Sequence, residues 1–599
     1  MNPDLLQRLE KDGLLSDLDR HFARFMVRLS GGDAPEVGLA AALVSRDRRR
    51  GHVCLDLSRI SGNPPEEFPE APLFPGLAPW REALKGSRVV GRPGTFAPLI
   101  LDDADRLYLY RYWDYQRRLA ESLLARGRKT EEGGRRTEIL GALLDSYFPS
   151  SGEAEGPDRQ RQAAEVALTR QLCVISGGPG TGKTTTVARI LALFVATSEG
   201  RPPAVALAAP TGKAAARMQE AIQREKTRPI FDAVRDRLPD AAGTIHRLLG
   251  TVPGSPYFRH HRDAPLPADV VVIDEASMVD MALMAKLVDA LKPEARLILL
   301  GDRDQLASVE AGAVLGDICN TGKPTPETEA TPEETRAGIR GCIVQLEKSY
   351  RFTAAGGIGA ASRAVNRGDA EAALAVLEDG GPAAEWGGVL DPDAPQARFK
   401  AAVIEGFRAY LEARHDPETV FRRFDAFRIL CGLRQGPFGA AVVNRRVEAI
   451  LETAGLIRPS TLWYPGRPVM ITRNDYGLGL FNGDVGVALR DPEAGGEVRV
   501  FFPGPDGGVR RLNPMRLPDH ETVYAMTVHK SQGSEFNHVA LLLPDRDAPV
   551  LTRELIYTGL TRARESVAVW GDPAVFRRAV ERRIRRSSGL RDALWGGGQ

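Results

Sequence analysis

Cysteine is scarce in this sequence: only Cys54, Cys173, Cys319, Cys342 and Cys431 occur in 599 residues, and no two of them form a Cys-x-x-Cys pair. That argues against both a thiol zinc site and a disulfide framework, so the expected compartment is the reducing cytoplasm. Long apolar runs are missing too. None approaches the ~18 residues that a membrane span needs. Met1 to Arg20 mixes Asp, Glu, Lys and Arg with Leu and carries no mark of export or anchoring. Nor is there an excess of charge of one sign, since 80 basic against 78 acidic residues leave a formal net charge of +2. A surface coated in positive charge is thereby excluded, and any contact with nucleic acid has to come from a local groove. No internal repeat at a solenoid period is evident.

What the chain has is length and apolar content. With 43% hydrophobic residues in 599 it can bury about three or four cores, because single cores stop growing near ~250–300 residues. The N-terminal part reads as helical segments, such as Arg81 to Lys85 and the aromatic stretch Leu107-Tyr108-Leu109-Tyr110-Arg111-Tyr112-Trp113, separated by Gly/Pro-rich turns. It holds no catalytic motif. The polar stretch Pro149 to Pro157 has linker composition and predicts a domain boundary. From Gln160 to Asp317, short apolar runs (Leu172 to Ser176, Ala204 to Ala208, Val270 to Ile273, Arg296 to Leu300) alternate with longer helical patterns, which predicts βαβ units and a parallel sheet. Gly322 to Glu329, rich in Pro, Thr and Glu, predicts a mobile surface loop. A second α/β region runs from Gln345 to the end. Within it Val469 to Phe502 differs: short β-rich runs broken by Asn474-Asp475, Asn482-Gly483-Asp484 and Gly495-Gly496 predict the hairpins of a small inserted barrel.

Gly177-Gly178-Pro179-Gly180-Thr181-Gly182-Lys183-Thr184 is a full P-loop pattern, directly after the strand Cys173-Val174-Ile175 and before the helical Thr185 to Phe194. Its glycines let backbone N–H groups close around phosphates at a helix N-terminus. Lys183 neutralises β/γ oxygens, the Thr184 hydroxyl can bind Mg²⁺, and Thr185 completes the nucleotide-binding set. Val270-Val271-Val272-Ile273-Asp274-Glu275 is an apolar strand ending in two carboxylates, where Asp274 can join the Mg²⁺ shell and Glu275 can polarise the attacking water. Alone, such a pair is as readily a helix N-cap; the P-loop upstream turns the reading to hydrolysis. ATP and Mg²⁺ are the expected cofactors.

A P-loop does not by itself separate a kinase, a transporter ATPase and a helicase. The chain continues with Ala209-Pro210-Thr211-Gly212-Lys213-Ala214-Ala215-Ala216-Arg217, Thr244-Ile245-His246-Arg247-Leu248-Leu249-Gly250, Gly301-Asp302-Arg303-Asp304-Gln305-Leu306, Tyr350-Arg351, Val528-His529-Lys530-Ser531-Gln532-Gly533-Ser534-Glu535-Phe536 and Tyr557-Thr558-Gly559-Leu560-Thr561-Arg562-Ala563. In this order they resemble the motif set of superfamily 1 helicases, from Gln160 to the C-terminus. By that resemblance Gln160, or its neighbour Gln162, contacts adenine, Gln305 senses the γ-phosphate, Arg351 and Arg562 reach it from the second motor domain, and Glu535 belongs with the nucleotide. An arginine arriving across a cleft stabilises transition-state charge and makes hydrolysis depend on closure; a surface ion pair is the plain alternative. The strand-contact set is Pro210, Thr211, Lys213, Thr244, His246, Thr527, His529 and Ser531, whose hydroxyls and single positive charges suit a grip on phosphates without reading bases. Thr244 and Thr527 as ordinary caps, and His246 as an interior histidine, are the alternatives. Val252 to His261 reads either as a hairpin wedge or as a surface loop.

Within superfamily 1, Ser176 to Thr186, Ala209 to Ala215, Asp274 to Met278, Arg434 to Gly439 with Asn444, and Pro468 to Tyr476 leading to Leu480-Phe481-Asn482-Gly483-Asp484 closely resemble the RecD family. The resemblance implies an α/β fold of two RecA-like P-loop motor domains with a helical N-terminal domain and a small SH3-like β insert. The implied boundaries are 1–147 for a mainly helical, partner-docking domain, 158–345 for the first motor domain with a small hairpin at about 251–266, 346–599 for the second, and 457–518 for the insert. It also implies 5′ to 3′ travel on DNA, RecB-like and RecC-like partners in an exodeoxyribonuclease V, and processing of double-strand ends in recombinational repair. No carboxylate and lysine cluster is left over for a nuclease, so cleavage would fall to the RecB-like partner. The short N-terminal region with Tyr110-Arg111-Tyr112-Trp113 resembles the assembly type, docked on RecC, although these aromatics fill a helical core equally well. The readings left open are a free-standing DNA helicase, an RNA-directed helicase and an ATP switch without translocation, against which Glu275, Arg351 and Arg562 stand. The basic C-terminus, Arg577 through Arg586, reads as a solvated helical face or a DNA contact.

Overall fold

The computed structural model describes residues 4–11, 13–64, 73–128, 137–149, 158–198, 200–320, 338–352, 356–391, 396–475, 477–504 and 508–596. All of the expected linker Pro149 to Pro157 except Pro149, the loop over Gly322–Glu329 and Tyr476 of the RecD-like motif lie outside the described residues. At the N-terminal end, helices Asp17–Ser30, Pro35–Arg49, Leu77–Lys85 and Tyr110–Arg126 surround a sheet of β1 (Cys54–Asp56), β2 (Val90–Gly91), β3 (Leu99–Leu101) and β4 (Arg106–Leu109), in the order β1-β4-β3-β2. The expected helix over Leu107 to Trp113 needs correction, and so does a purely helical reading of this region: Leu107 to Leu109 belong to β4, and the helix starts at Tyr110. Alternation is the reason. Leu107 buries with Leu43 and Trp80, whereas Tyr108 points the other way, into the core that holds Val271 and Leu297; such two-faced burial is the period of a strand.

The first parallel sheet comprises β5 (Leu172–Gly177), β6 (Val205–Ala209), β7 (Ala242–Thr244), β8 (Val270–Ile273), β9 (Arg296–Gly301) and β10 (Ile343–Leu346), ordered β10-β5-β9-β8-β6-β7. β5, β6, β8 and β9 fall within a residue of the apolar runs read from the sequence, whereas β7 and β10 match no run read there. Leu172, Val174, Val271 and Ile273 bury in one core while Cys173, Ile175, Val270 and Val272 bury in another. Both faces are therefore covered, which is why these strands are apolar throughout instead of alternating. Helices Arg159–Thr169 and Lys183–Ala196 cover one face; Tyr112, Leu119 and Leu123 from the N-terminal region, together with Leu590 and Leu594 from the C-terminus, share the core on the other.

The second parallel sheet has the order β11-β20-β19-β12-β18, from β11 (Ala384–Gly388), β12 (Phe427–Cys431), β18 (Ala525–Thr527), β19 (Phe536–Leu542) and β20 (Ala563–Trp570). Between β12 and β18 the chain makes an antiparallel sheet of β13 (Pro468–Ile471), β14 (Val485–Arg490), β15 (Val498–Pro503), β16 (Val509–Leu512) and β17 (His520–Thr522), ordered β16-β15-β14-β13-β17. The basic C-terminus follows the expected solvated helix only at its start, where Arg577 and exposed Arg578 lie on the helix Pro573–Glu581. After the helix Pro573–Glu581 the chain runs on without helix to Leu590. Arg582 pairs with Asp547 and donates to the carbonyls of Ala548 (2.8 Å) and Leu551 (3.0 Å), and Arg586 donates to the carbonyl of Arg50 (2.6 Å). A solvated face carries charges in water, whereas these guanidiniums tie the last segment across the molecule. All five cysteines are buried free thiols. Among the described residues no helix is long and apolar enough to cross a membrane.

Candidate active site

β5 ends at Gly177, and the loop that follows turns into the helix Lys183–Ala196 through Gly180 and Gly182, whose φ of +75° and +83° lie in the left-handed region that glycine reaches without strain. The Lys183 ammonium folds over the loop and donates to the carbonyls of Gly177 (2.6 Å) and Gly178 (3.0 Å), while the Thr181 hydroxyl donates to Gly178 (2.8 Å). Gln160 Nε2 donates to the carbonyl of Thr181 (3.2 Å), so of the two candidate glutamines Gln160 is the one at the loop. Gln162 instead accepts from Arg159 (2.9 Å). Thr184 follows Lys183 on the first turn, half-buried, and the Thr185 hydroxyl is turned to Glu225 (3.2 Å).

β8 presents its two carboxylates differently. Burial, and next the charge of Glu275, push the Asp274 carboxyl up to about 6, against the favourable charges of Lys183 and Arg217. Glu275 sits at φ +50°, a conformation that costs a side-chain-bearing residue on the order of 1 kcal/mol or more, and its N–H donates to Asp274 Oδ1 (2.8 Å). Asp274 and the Thr184 hydroxyl offer the hard oxygen donors that Mg²⁺ takes. Among the described residues no three metal-ligating side chains converge.

Across the cleft, helix Arg553–Thr561 and its cap Arg562 bring the second lobe to the end of β9. Arg562, only 2% exposed, donates from Nη2 to Gln305 Oε1 (2.8 Å). The Tyr557 hydroxyl donates to Asp302 Oδ2 (2.9 Å), and the N–H of Leu306 donates to the Thr558 hydroxyl (2.9 Å). Near the loop itself the Ser349 hydroxyl donates to Pro179 (3.1 Å) and the Tyr350 N–H to Gly180 (2.8 Å). Arg351 donates to Glu535 Oε1 (2.8 Å), and Arg564 pairs with Glu535 Oε2 (3.1 Å). Burial pushes the Glu535 carboxyl up, but the charges of Arg351, Arg217 and Arg562 and the Arg351 hydrogen bond outweigh it and hold it at about 2. Glu535 thus binds the arginine expected at the γ-phosphate. Asp302, Tyr557 and Thr558 carry no role in the sequence reading. Their motifs mark the neighbourhood, but nothing local reveals that a tyrosine 255 residues away meets the aspartate.

The strand-contact candidates form a different kind of set. Thr211 caps helix Gly212–Lys226, accepting from the N–H of Ala214 (3.2 Å), Thr244 caps Ile245–Leu249 through Arg247 (3.2 Å), and Thr527 accepts from Lys530 (3.3 Å). Thr244 acts as the cap that the plain reading allows and Thr211 caps as well, whereas Thr527, at the end of β18, closes a turn without capping a helix. An accepting hydroxyl oxygen still carries its own O–H for a phosphate, so the two roles coexist. Pro210 precedes Thr211. Lys213 lies over the Phe536 ring (5.8 Å), and burial pushes its ammonium down, opposed by Asp425. His246 is exposed beside Phe258 (5.7 Å between rings), and burial lowers the imidazole of half-buried His529. Ser531 stands apart, fully buried with its hydroxyl donating to Val528 (2.7 Å). The stretch 251–266 is closed by the bridges Thr251–Phe258 and His261–Ala264 and exposes Tyr257.

Comparison with known proteins adds lineage to this geometry. Residues 160–311 match the AAA domain, 11–108 the RecBCD enzyme subunit RecD, N-terminal domain, and 522–570 the UvrD-like helicase C-terminal domain. The RecBCD enzyme subunit RecD of Mycobacterium tuberculosis is 40% identical over 98% of this chain and 96% of its own. That of Haemophilus influenzae is 33% identical over 98% of both. The ATP-dependent RecD2 DNA helicase of Deinococcus radiodurans is 31% identical over 75% of this chain but 54% of its own. With such identity sustained over nearly the full length of both chains, this chain belongs to the RecD family of superfamily 1 helicases.

Proposed function

We propose that this chain is an ATP-dependent DNA helicase that travels 5′ to 3′ as a subunit of a RecBCD-type exodeoxyribonuclease V and opens double-strand DNA ends for recombinational repair. The observation that carries the reading is Arg562 of the second lobe bonded to Gln305 beside the P-loop, because an arginine crossing a cleft makes hydrolysis answer to lobe closure. In this reading the two parallel sheets are RecA-like motor domains (158–345 and 346–599), the antiparallel sheet within 457–518 is an SH3-like insert, and 1–147 is the docking region. The backbone N–H groups at the start of helix Lys183–Ala196 and the Lys183 ammonium take the phosphates, and Gln160 takes the adenine edge. Thr184 and Asp274 would hold Mg²⁺, which when bound neutralises charge on the β/γ oxygens. Glu275 accepts the proton of the attacking water, Gln305 orients that water, and Arg562 and Arg351 bring positive charge to the γ-phosphate on closure, Arg351 leaving Glu535 to do so.

Closure alters the spacing between Thr211, Lys213, Thr244 and His246 of one lobe and Thr527 and His529 of the other, so alternating grip advances the strand. The loop 251–266, with Tyr257 exposed, is placed in this reading as the wedge that splits the duplex. The match of residues 11–108 to the RecBCD enzyme subunit RecD, N-terminal domain, and 33–40% identity to RecBCD subunits RecD support an assembly subunit with RecB-like and RecC-like partners over a free-standing enzyme. The test is strand displacement with ATP on duplexes carrying a 5′ or a 3′ single-stranded tail, beside a Lys183→Gln control. Unwinding from the 5′ tail alone, abolished in the control, is the expected result; absence of DNA-stimulated hydrolysis, with and without partner subunits, sinks the reading.

A further inference from the structure

The second lobe grips the turn 302–306 of the first at Asp302, Gln305 and Leu306. Tyr557 donates to Asp302 Oδ2 (2.9 Å), Arg562 donates to Gln305 Oε1 (2.8 Å), the Thr558 hydroxyl accepts from Leu306 N–H (2.9 Å) and Gln532 Nε2 donates to the Leu306 carbonyl (3.0 Å). Within the turn, Gln305 Nε2 donates to the same Asp302 Oδ2 (3.0 Å), while Oδ1 takes the N–H of Asp304 (3.1 Å). Tyr557, Asp302, Gln305 and Arg562 are all buried. An ionised carboxylate only accepts and a guanidinium only donates, so the amide of Gln305 between them has one permitted orientation: nitrogen to Asp302, oxygen to Arg562. The tyrosine hydroxyl also lies against the P-loop, where a Cβ on Gly178 would stand 3.0 Å from it. Tyrosine, aspartate, glutamine and arginine therefore form a closed circuit that leaves and re-enters the same second-lobe helix.

We propose that Tyr557 is a positioning residue of the hydrolytic site: by donating to Asp302 it keeps the Gln305 amide oxygen turned toward Arg562, so that docking of the second lobe and orientation of the sensor glutamine are one event. Without that hydroxyl, Asp302 loses a donor in a site that burial already makes unfavourable for its charge, and Lys183 is the cation left to compensate. A carboxylate that has lost a donor holds its place and its charge less firmly, so the amide keeps its one orientation less strictly and Arg562 meets the amide oxygen less often. This inference rests on the ATPase reading of the cleft.

The experiment measures ATP turnover of the full chain, with its partner subunits where turnover requires them, on saturating oligo(dT). It compares wild type, Tyr557→Phe, Asp302→Asn and the double variant, each first checked for a cooperative melt. Tyr557→Phe is expected to lower kcat about 10- to 100-fold, the scale of a hydrogen bond to a charged group, with KM for ATP unchanged, because the ring still packs and the P-loop still binds. Asp302→Asn leaves the tyrosine ring in place and is expected to lower kcat alone, and the double variant to be no worse than Asp302→Asn. Wild-type kcat in Tyr557→Phe, a rise in KM instead of a fall in kcat, or losses that multiply in the double variant would each overturn the inference while wild-type hydrolysis leaves the ATPase reading standing. Failure of the wild type itself to hydrolyse ATP on DNA overturns both.

Discussion

The first lobe meets the rest of the molecule along two seams of opposite character. Toward the second lobe the contacts at the end of β9 are polar and directional: Arg562 to Gln305, Tyr557 to Asp302, Gln532 and Thr558 to Leu306. Toward the N-terminal region and the C-terminal segment the seam is built on an apolar core, in which Tyr112, Leu119, Leu123, Leu590 and Leu594 bury with Val271 and Leu297, and polar contacts such as Arg126 to the Lys292 carbonyl (2.8 Å) flank it. Opening the apolar seam would return a large greasy surface to water at roughly 25 cal/mol per Å². Opening the polar one exchanges protein hydrogen bonds for water or a ligand at small net cost. The polar seam is thus the one that opens at small cost, and the apolar one the one that holds.

Breaking the polar seam gives the largest expected effect. Arg562→Ala should lower DNA-stimulated ATP turnover about 10³- to 10⁵-fold, the measured reach of arginines delivered across a cleft, while the protein still melts as a unit. Turnover that survives the substitution would reduce the Arg562 to Gln305 contact to a structural bond. Breaking the apolar seam should do the converse. Leu594→Ala removes a fully buried side chain and should cost about 2–5 kcal/mol of stability, read by denaturant unfolding, with kcat retained at a temperature where the variant is folded. A loss of kcat in the folded variant would mean that the seams are coupled.

The sequence shows these seams unequally. β5, β8 and the P-loop are legible because strand, glycine turn and helix are local and their chemistry is carried by residue type. Tyr108 is not: it stands in an aromatic run that reads as helix, and only the distribution of its neighbours over two cores makes it strand. Arg586 reads as one charge in a basic face, yet its guanidinium binds the backbone of Arg50 at the other end of the chain. Ser531 reads as a polar residue aimed at a strand, and the fold turns its hydroxyl inward to Val528. In each case a partner remote in sequence, or the inside-outside sense of a turn, decides the outcome, and neither is written in local pattern.

One group stands out of place in the apolar seam. Asp317 lies under Trp595, whose indole N–H donates to its backbone carbonyl (3.1 Å), and its Oδ2 is buried with no hydrogen-bond partner among the described residues. Burial pushes the carboxyl up to about 7, with Ser588 and Arg591 favouring its charge and Asp592 opposing it. Because the folded state holds the proton up to that pH and the unfolded chain releases it near its ordinary carboxylate value, the fold loses stability as pH rises between the two. Asp317→Asn should therefore stabilise the protein at pH 8, by about 1–3 kcal/mol, and the gain should vanish toward pH 4. Melting curves across that range check it, and an equal gain at every pH would assign the effect to something other than the charge.

The smallest expected effect lies where the polar seam meets the strand-contact set. A Cβ on Gly533 of the second lobe would sit 3.4 Å from Thr211 Oγ1 of the first, so this threonine is at the seam as well as at its helix cap. Thr211→Val keeps the shape and deletes both the acceptor for Ala214 and the O–H, whereas Thr211→Ser keeps both. Loss of the cap should cost about 0.5–2 kcal/mol of stability. Loss of one phosphate hydrogen bond should weaken oligo(dT) binding only about 2- to 12-fold, with the salt dependence unaltered because no charge leaves the interface. Lys213→Met should instead reduce the salt slope by about one counterion. Anisotropy titrations at two salt concentrations separate these outcomes, and Thr211→Val that melts lower but binds oligo(dT) like the wild type would leave the threonine a cap and nothing more.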